Sequence, residues 1–268
     1  MGTTAMSFVK TKEELQEIQR VLAQGRCTIE GISIEFETTF EFLRTVLPPC
    51  FDLPATPTAI ASVSRWQSEL CGEFDCGIIA LNCRYQELEG TTMLVLIVSG
   101  DMPVTIGREM WGEAKKTGIA QVYRDGPQGY GFCERNGTRL IEIEAEFGED
   151  LGPSSSESYD FEIKAVPHSS GYGLQHDPIL NCMKNQEHLR VKRAGKGTLK
   201  LKGTAWDPLD TIPIVSVGTA WYTEGESTWT VPRLDVLPDR DAYLPFVYGQ
   251  KFDDFRLFRK PARFQNAQ

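Results

Sequence analysis

Thr105-Ile106-Gly107-Arg108-Glu109-Met110-Trp111-Gly112-Glu113-Ala114-Lys115-Lys116-Thr117-Gly118 is the stretch around which the chain is organised. Apolar, strand-like runs flank it: Met93-Leu94-Val95-Leu96-Ile97-Val98 before and Ile119-Ala120-Gln121-Val122-Tyr123 after. A lysine pair between two such runs is unusual, because burying an ammonium is costly unless it loses its proton. A bare Lys-Lys is usually a solvated surface pair. The apolar flanks and the spaced glycines set this one apart.

The rest of the composition narrows the setting. The 268 residues are 41% hydrophobic, enough for a sizeable core, and the length suits one domain spanning residues 1–268. A net charge of −9 argues against nucleic acid as a main partner, which would want a basic face. No run approaches the ~18 apolar residues of a membrane helix. The first residues lack the apolar core of a signal peptide. Met1-Gly2 looks like a myristoylation start, but Met6 stands where Ser or Thr is wanted. The seven cysteines are irregularly spaced and form no CxxC, so zinc is not expected. Free thiols in a cytoplasmic protein are the expectation.

Taken in order, Thr11 and Glu14 form a capping box for a helix over 12–24, with Leu15, Ile18 and Leu22 on one face. Residues 27–37 alternate as a half-buried strand. Thr38 and Glu41 read as a second capping box, opening a short helix stopped by Pro48-Pro49. Residues 59–66 read as a strand, 71–76 as a turn and 77–83 as a strand. Asn136-Gly137 marks a type I′ hairpin between 130–135 and 138–147. Residues 148–158, with three consecutive serines, read as a loop, and 161–167 as a strand. Residues 179–193 are polar and carry no clear period. Residues 197–203 alternate, 207–213 form a turn, and 214–222 read as a strand. The basic, aromatic run 251–263 reads as a terminal helix or an ordered tail. His168, His176 and His188 have no ligand-like spacing and read as loop or surface residues.

Gly107-Arg108-Glu109, five residues, then Lys115-Lys116 resembles the signature of the acetoacetate decarboxylase superfamily. The Leu47-Pro48-Pro49 stop and the Pro208-Leu209-Asp210 turn with its following strand resemble other parts of that family. The resemblance implies a predominantly antiparallel α+β fold in which twisted sheets close into a barrel-like cavity, with a few short helices. It also implies a homo-oligomer, no cofactor, and a small-molecule carbonyl substrate. In the family the first lysine of the pair forms an imine, which makes Lys115 the nucleophile here. Ala114 stands where proline is frequent. The resemblance also implies a pocket carboxylate beside the lysine, for which Glu73 is the best match and Asp75 the alternative.

An ordinary lysine has a pKa near 10.4, so only about one in two thousand is a free amine at neutral pH. Lowering that value to ~6 takes about 6 kcal/mol. Desolvation is expected to supply most of it and Lys116 a smaller share, since neighbours on a strand point apart. The family's decarboxylases carry an arginine and a glutamate where this chain has Ile29 and Ala59, which argues against acetoacetate itself. The expected function is therefore an imine-forming, decarboxylase-like lyase acting through Lys115 on a keto acid or related carbonyl compound other than acetoacetate. The rivals are an aldolase-dehydratase of the same superfamily and a non-catalytic protein that binds a hydrophobic ligand.

Overall fold

The computed structural model describes residues 7–256. The Met1-Gly2 start and the part of the 251–263 run beyond Arg256 lie outside them. After helix α1 (Lys12–Ala23) come β1 (Gly25–Glu37), α2 (Phe40–Val46), β2 (Thr58–Ser68), β3 (Gly72–Tyr85) and β4 (Leu88–Val98). Helix α3 (Met102–Ile106) runs into a π-helical turn (Gly107–Trp111) and then β5 (Lys115–Thr117). Strands β6 (Ile119–Asp125), β7 (Gln128–Arg135), β8 (Thr138–Asp150), β9 (Ser154–Lys164), β10 (Ile179–Leu201) and β11 (Ser216–Val236) follow. Helix α4 (Leu244–Lys251) comes last. Among the described residues no helix is long and apolar enough to cross a membrane.

Seven strands close on themselves in the order β11-β1-β2-β3-β4-β9-β10, with β10 returning to β11. The closing seam is narrow: β4 meets β9 in parallel through Thr91 and Asp160. Gly90 permits that approach, since a Cβ there would lie 2.3 Å from the Tyr159 carbonyl oxygen. Strands β8, β7 and β6 extend from the far end of β10 and fold back over the outside of β1–β3.

Strand alternation divides the two faces. On β2, Ala59, Ala61 and Val63 point outward into a core with Ile32, Ile34, Phe36 and Ile79, against Ala120, Cys133, Leu140, Ile141 and Ile143. Ile60, Ser62, Ser64 and Trp66 point inward, where they line a cavity of ≈ 720 Å³. A one-residue slip of β2 would exchange these sets. Each large apolar side chain carried out of the core would cost ~1.5–3 kcal/mol, so the register is fixed.

Four local expectations are corrected. Thr39, not Thr38, caps α2, accepting from the Phe42 amide at 3.1 Å. Residues 72–76 belong to β3, and the turn falls just before Gly72, which takes the left-handed φ of +71°. The serines of 154–158 are not a loop: they pair in β9 with 185–189 of β10. Residues 179–193 and 197–201 are one long strand. It showed no hydrophobic period because polar residues occupy both of its faces, Asn185 and Glu187 lining the lumen and Gln186 and His188 exposed. The capping box of α1 and the Asn136-Gly137 turn, with φ of +52° and +75°, are as read.

Gly112 ends the π-helical turn at a φ of +82°. A Cβ there would lie 2.3 Å from Lys164 Cα. Gly112→Ala is therefore expected to lower the unfolding free energy by more than the ~1–2 kcal/mol of left-handed strain alone. Urea unfolding checks this, and an unchanged midpoint would mean that β9 does not fix this turn.

Candidate active site

β5 is three residues long and lies parallel to the end of β4, with Lys115 beside Leu96 and Lys116 beside Ile97. Alternation sends the two lysines to opposite faces. Lys115 enters a small cavity of ≈ 90 Å³ lined by Trp66, Phe74, Cys76, Met93, Leu96 and Trp229. That cavity shares Trp66, Ile78, Met93, Asp160 and Asn185 with the large lumen, so the lysine stands at the lumen's inner end. The Phe74 ring centroid is 6.0 Å from the ammonium, and Trp66 stacks on Phe74 at 6.2 Å.

The ammonium of Lys115 is ion-paired with Glu113 at 2.6 Å. Glu113 is two residues earlier, on the same side of the chain. Gly107 makes room for the pair: a Cβ there would lie 2.0 Å from the Glu113 carboxylate and 2.9 Å from the lysine Nζ. That is the physical reason for glycine at the head of the Gly-Arg-Glu run. Arg108 lies over the Phe252 ring at 5.3 Å, and Glu109 is exposed.

The turn is held from behind. Gly112 and Glu113 amides donate to the Gly107 carbonyl at 2.9 and 3.1 Å. Asn181 donates to the Trp111 carbonyl at 2.7 Å. Lys251 of α4 donates to the Gly112 and Ile163 carbonyls. Beside Lys251 sits Glu162, 4% exposed, which also lines the Lys115 cavity and whose Oε1 has no hydrogen-bond partner.

The electrostatics follow from burial and from these neighbours. Burial pulls the Lys115 ammonium down, but Glu113 outweighs it, so its pKa stands above the ordinary lysine value. This corrects the expectation of a lysine lowered by desolvation. Burial pushes Glu162 well above the usual carboxylate range, with Glu113 adding to the effect. Burial brings Lys251 down to about 8. Asp160 is pushed up to about 6, again by burial.

The structure does not bring the other proposed residues to Lys115. Lys116 is 6% exposed and pairs with Asp207 at 2.8 Å and Asp253 at 3.3 Å. Arg135 joins the same two carboxylates at 2.6 and 2.5 Å, closing a balanced square of two cations and two anions. Glu73 is exposed and accepts from Gln67 at 3.0 Å, while its neighbours Phe74 and Cys76 face the lysine. Asp75 pairs with Arg65 at 3.3 Å. The carboxylates that do reach the pocket, Glu113, Asp160 and Glu162, were missed in the sequence. Ile29 lines the lumen, but Ala59 faces the outer core, and its lumen neighbour is Ile60.

The sequence profile of the acetoacetate decarboxylase family matches residues 8–239. The fold is similar to that of acetoacetate decarboxylase from Legionella pneumophila, with a TM-score of 0.68 and 18% identity over 81% of this chain and 88% of that one. It is similar to the enduracididine biosynthesis enzyme MppR, complexed with the condensation product of pyruvate and imidazole 4-carboxaldehyde. That TM-score is 0.68, with 16% identity over 79% of this chain and 88% of the other. An acetoacetate decarboxylase-like enzyme from Sphingomonas wittichii RW1 gives 0.65 and 15% identity over 80% and 94%. At these identities the likeness is one of fold. No protein of curated function matches the sequence.

Asp207 balances two buried cations, so Asp207→Asn leaves Lys116 and Arg135 facing Asp253 alone. The expected loss of unfolding free energy is about 3–5 kcal/mol. A loss below ~1 kcal/mol in urea unfolding, the range of exposed ion pairs, would mean that the square does not hold this region together.

Proposed function

Because the chain belongs to the acetoacetate decarboxylase family, we propose that it is an imine-forming lyase that takes a carbonyl compound, a keto acid or a relative of one, on Lys115. The observation that carries this reading is the Lys115–Glu113 ion pair at 2.6 Å, set at the inner end of a lumen large enough for a small molecule.

Glu113 supplies what a protonated lysine lacks. It takes one proton from the ammonium, and the free amine attacks the carbonyl carbon to form the C–N bond. A proton moves from nitrogen to oxygen, giving a neutral carbinolamine. Glu113 then returns its proton to the hydroxyl, water leaves, and a protonated imine remains opposite the Glu113 carboxylate. Charge at the start and at the end is the same: one cation on nitrogen, one anion on Glu113. A pocket built to hold the ammonium–carboxylate pair therefore holds the iminium–carboxylate pair without further compensation.

The protonated imine is an electron sink, from which a β-carboxylate leaves as CO2 or an α-proton is withdrawn. The second course needs a proton acceptor near the α-carbon. Glu113 and Glu162 beside Lys115 favour it, so aldol and dehydration chemistry is the better-supported branch. The pocket-carboxylate role that the resemblance implies for Glu73 belongs in this reading to these two residues. Among the described residues no arginine lines the lysine pocket to receive the carboxylate of acetoacetate.

Reduction with cyanoborohydride in the presence of pyruvate, acetoacetate or a simple ketone, followed by peptide mass mapping, is expected to label Lys115. Lys115→Met abolishes labelling, and Lys116→Met in folded protein retains most of it. Labelling at Lys116, or none with any carbonyl compound, overturns the assignment.

The pH dependence follows from the direction of the Lys115 shift. A raised pKa keeps the amine protonated through neutrality, so the trapping rate climbs with pH into the alkaline range. Glu113→Gln removes the largest influence raising the Lys115 pKa and leaves burial dominant, so the profile moves to lower pH. The limiting rate falls by about 10²–10⁴-fold as the proton carrier is lost. A wild-type plateau already reached near pH 6 would contradict the ion-paired starting state.

A further inference from the structure

Several of the acids lining the two cavities have no ion-pair partner among the described residues. Lys115 and Glu113 neutralise each other. Glu157 is paired with Lys184 at 2.9 Å. Glu89, Asp160, Glu162 and Glu187 remain, and among the described residues none of the four is in an ion pair; Arg84 is the one other cation on either cavity wall. Asp160 accepts from the Thr91 hydroxyl at 2.6 Å, and Glu187 from Ser156 at 3.3 Å. Asp160 and Glu162 are two apart on β9, so their side chains share one face, about 7 Å apart along the strand. Both line the Lys115 cavity, and Asp160 also lines the lumen that opens from it.

Glu162 adds an independent sign that something polar is received there. Its side chain is 4% exposed, and its Oε1 is buried without a hydrogen-bond partner. A buried oxygen left unmatched carries the desolvation cost of its lost water, and a ligand donor is one way to recover it. An entering carboxylate offers no donor to that oxygen and adds a negative charge beside Asp160. An ammonium offers three N–H donors and a positive charge.

We propose that the carbonyl compound carried by Lys115 bears an ammonium group within a few atoms of its carbonyl, and that Asp160 and Glu162 receive that group. The imine chemistry of Lys115 is the premise, and the site narrows its substrates from keto acids to amino ketones and amino aldehydes. Asp160 supplies the charge, Glu162 accepts through Oε1, and the lumen beyond, with Ser62, Ser64, Asn82 and Glu187 on its walls, takes the rest of a polar chain.

Three probes of matched size separate the possibilities: aminoacetone, hydroxyacetone and pyruvate, each trapped on the wild-type protein with cyanoborohydride and read as adduct mass. Aminoacetone is expected to label at least about tenfold faster than pyruvate at equal concentration, the equivalent of one modest charge contact. In Asp160→Asn the ratio of aminoacetone to hydroxyacetone labelling falls to near one. Pyruvate labelling as fast as aminoacetone, or an advantage that survives in Asp160→Asn, overturns the proposal. The comparison on the wild-type protein decides even if the variant does not fold. 1-Amino-2-propanol, which cannot form an imine, tests the cation site by itself through calorimetric titration. Binding of this amine with no adduct from any of the three carbonyl probes would sink the imine reading and leave the cation site standing. Adducts from the uncharged probe with no amine binding and no aminoacetone advantage would do the reverse.

Discussion

Successive residues of a strand face opposite ways, and at β5 that rule is applied to two lysines in a row. One is delivered to the barrel's interior, the other to a square of buried charges on the opposite side. Everything around them follows from having to house both. The inner lysine needs a counterion that does not fill the lumen, and Glu113 provides it from the same side of the same segment. The outer one needs anions where the structure is otherwise apolar, and Asp207 and Asp253 are brought in from distant parts of the chain. Because the two ammonium groups point apart, the outer lysine cannot act by lending its charge to the inner one.

Two costs are set against each other in the inner pocket. An ammonium among Phe74, Trp66, Leu96 and Met93 is desolvated, which disfavours its charge. A carboxylate in contact with it favours the charge more, because Coulombic attraction strengthens as the surroundings lose water. The same poverty of solvent raises Glu162 well above the usual carboxylate range.

Much of this was legible in the sequence, and the rest was hidden for specific reasons. The Gly-Arg-Glu run and spaced Lys-Lys led to Lys115, and Asn136-Gly137 to its hairpin, because each depends on local chemistry. Glu113 stood in the same stretch, and its spacing of two from Lys115 was the signal that would have found it. The choice of Glu73 went against a readable alternation, since Phe74, Cys76 and Ile78 form the apolar set that turns inward. Asp160 and Glu162 were not recoverable, because only the closed barrel shows which face of β9 is the lumen. The long β10 was invisible for a related reason: a strand with polar residues on both faces has no hydrophobic period to read.

The family profile ends at residue 239, yet Lys251 braces the lysine turn and Asp253 closes the charge square. The order of synthesis gives this a consequence. When β11 has left the ribosome, all strands of the barrel are available to pair, but Lys116 and Arg135 have one carboxylate between them. The second arrives with the last part of the chain to emerge among the described residues. Final consolidation of the lysine turn therefore waits for α4 and the segment after it, and the turn that carries Lys115 matures after the scaffold that encloses it.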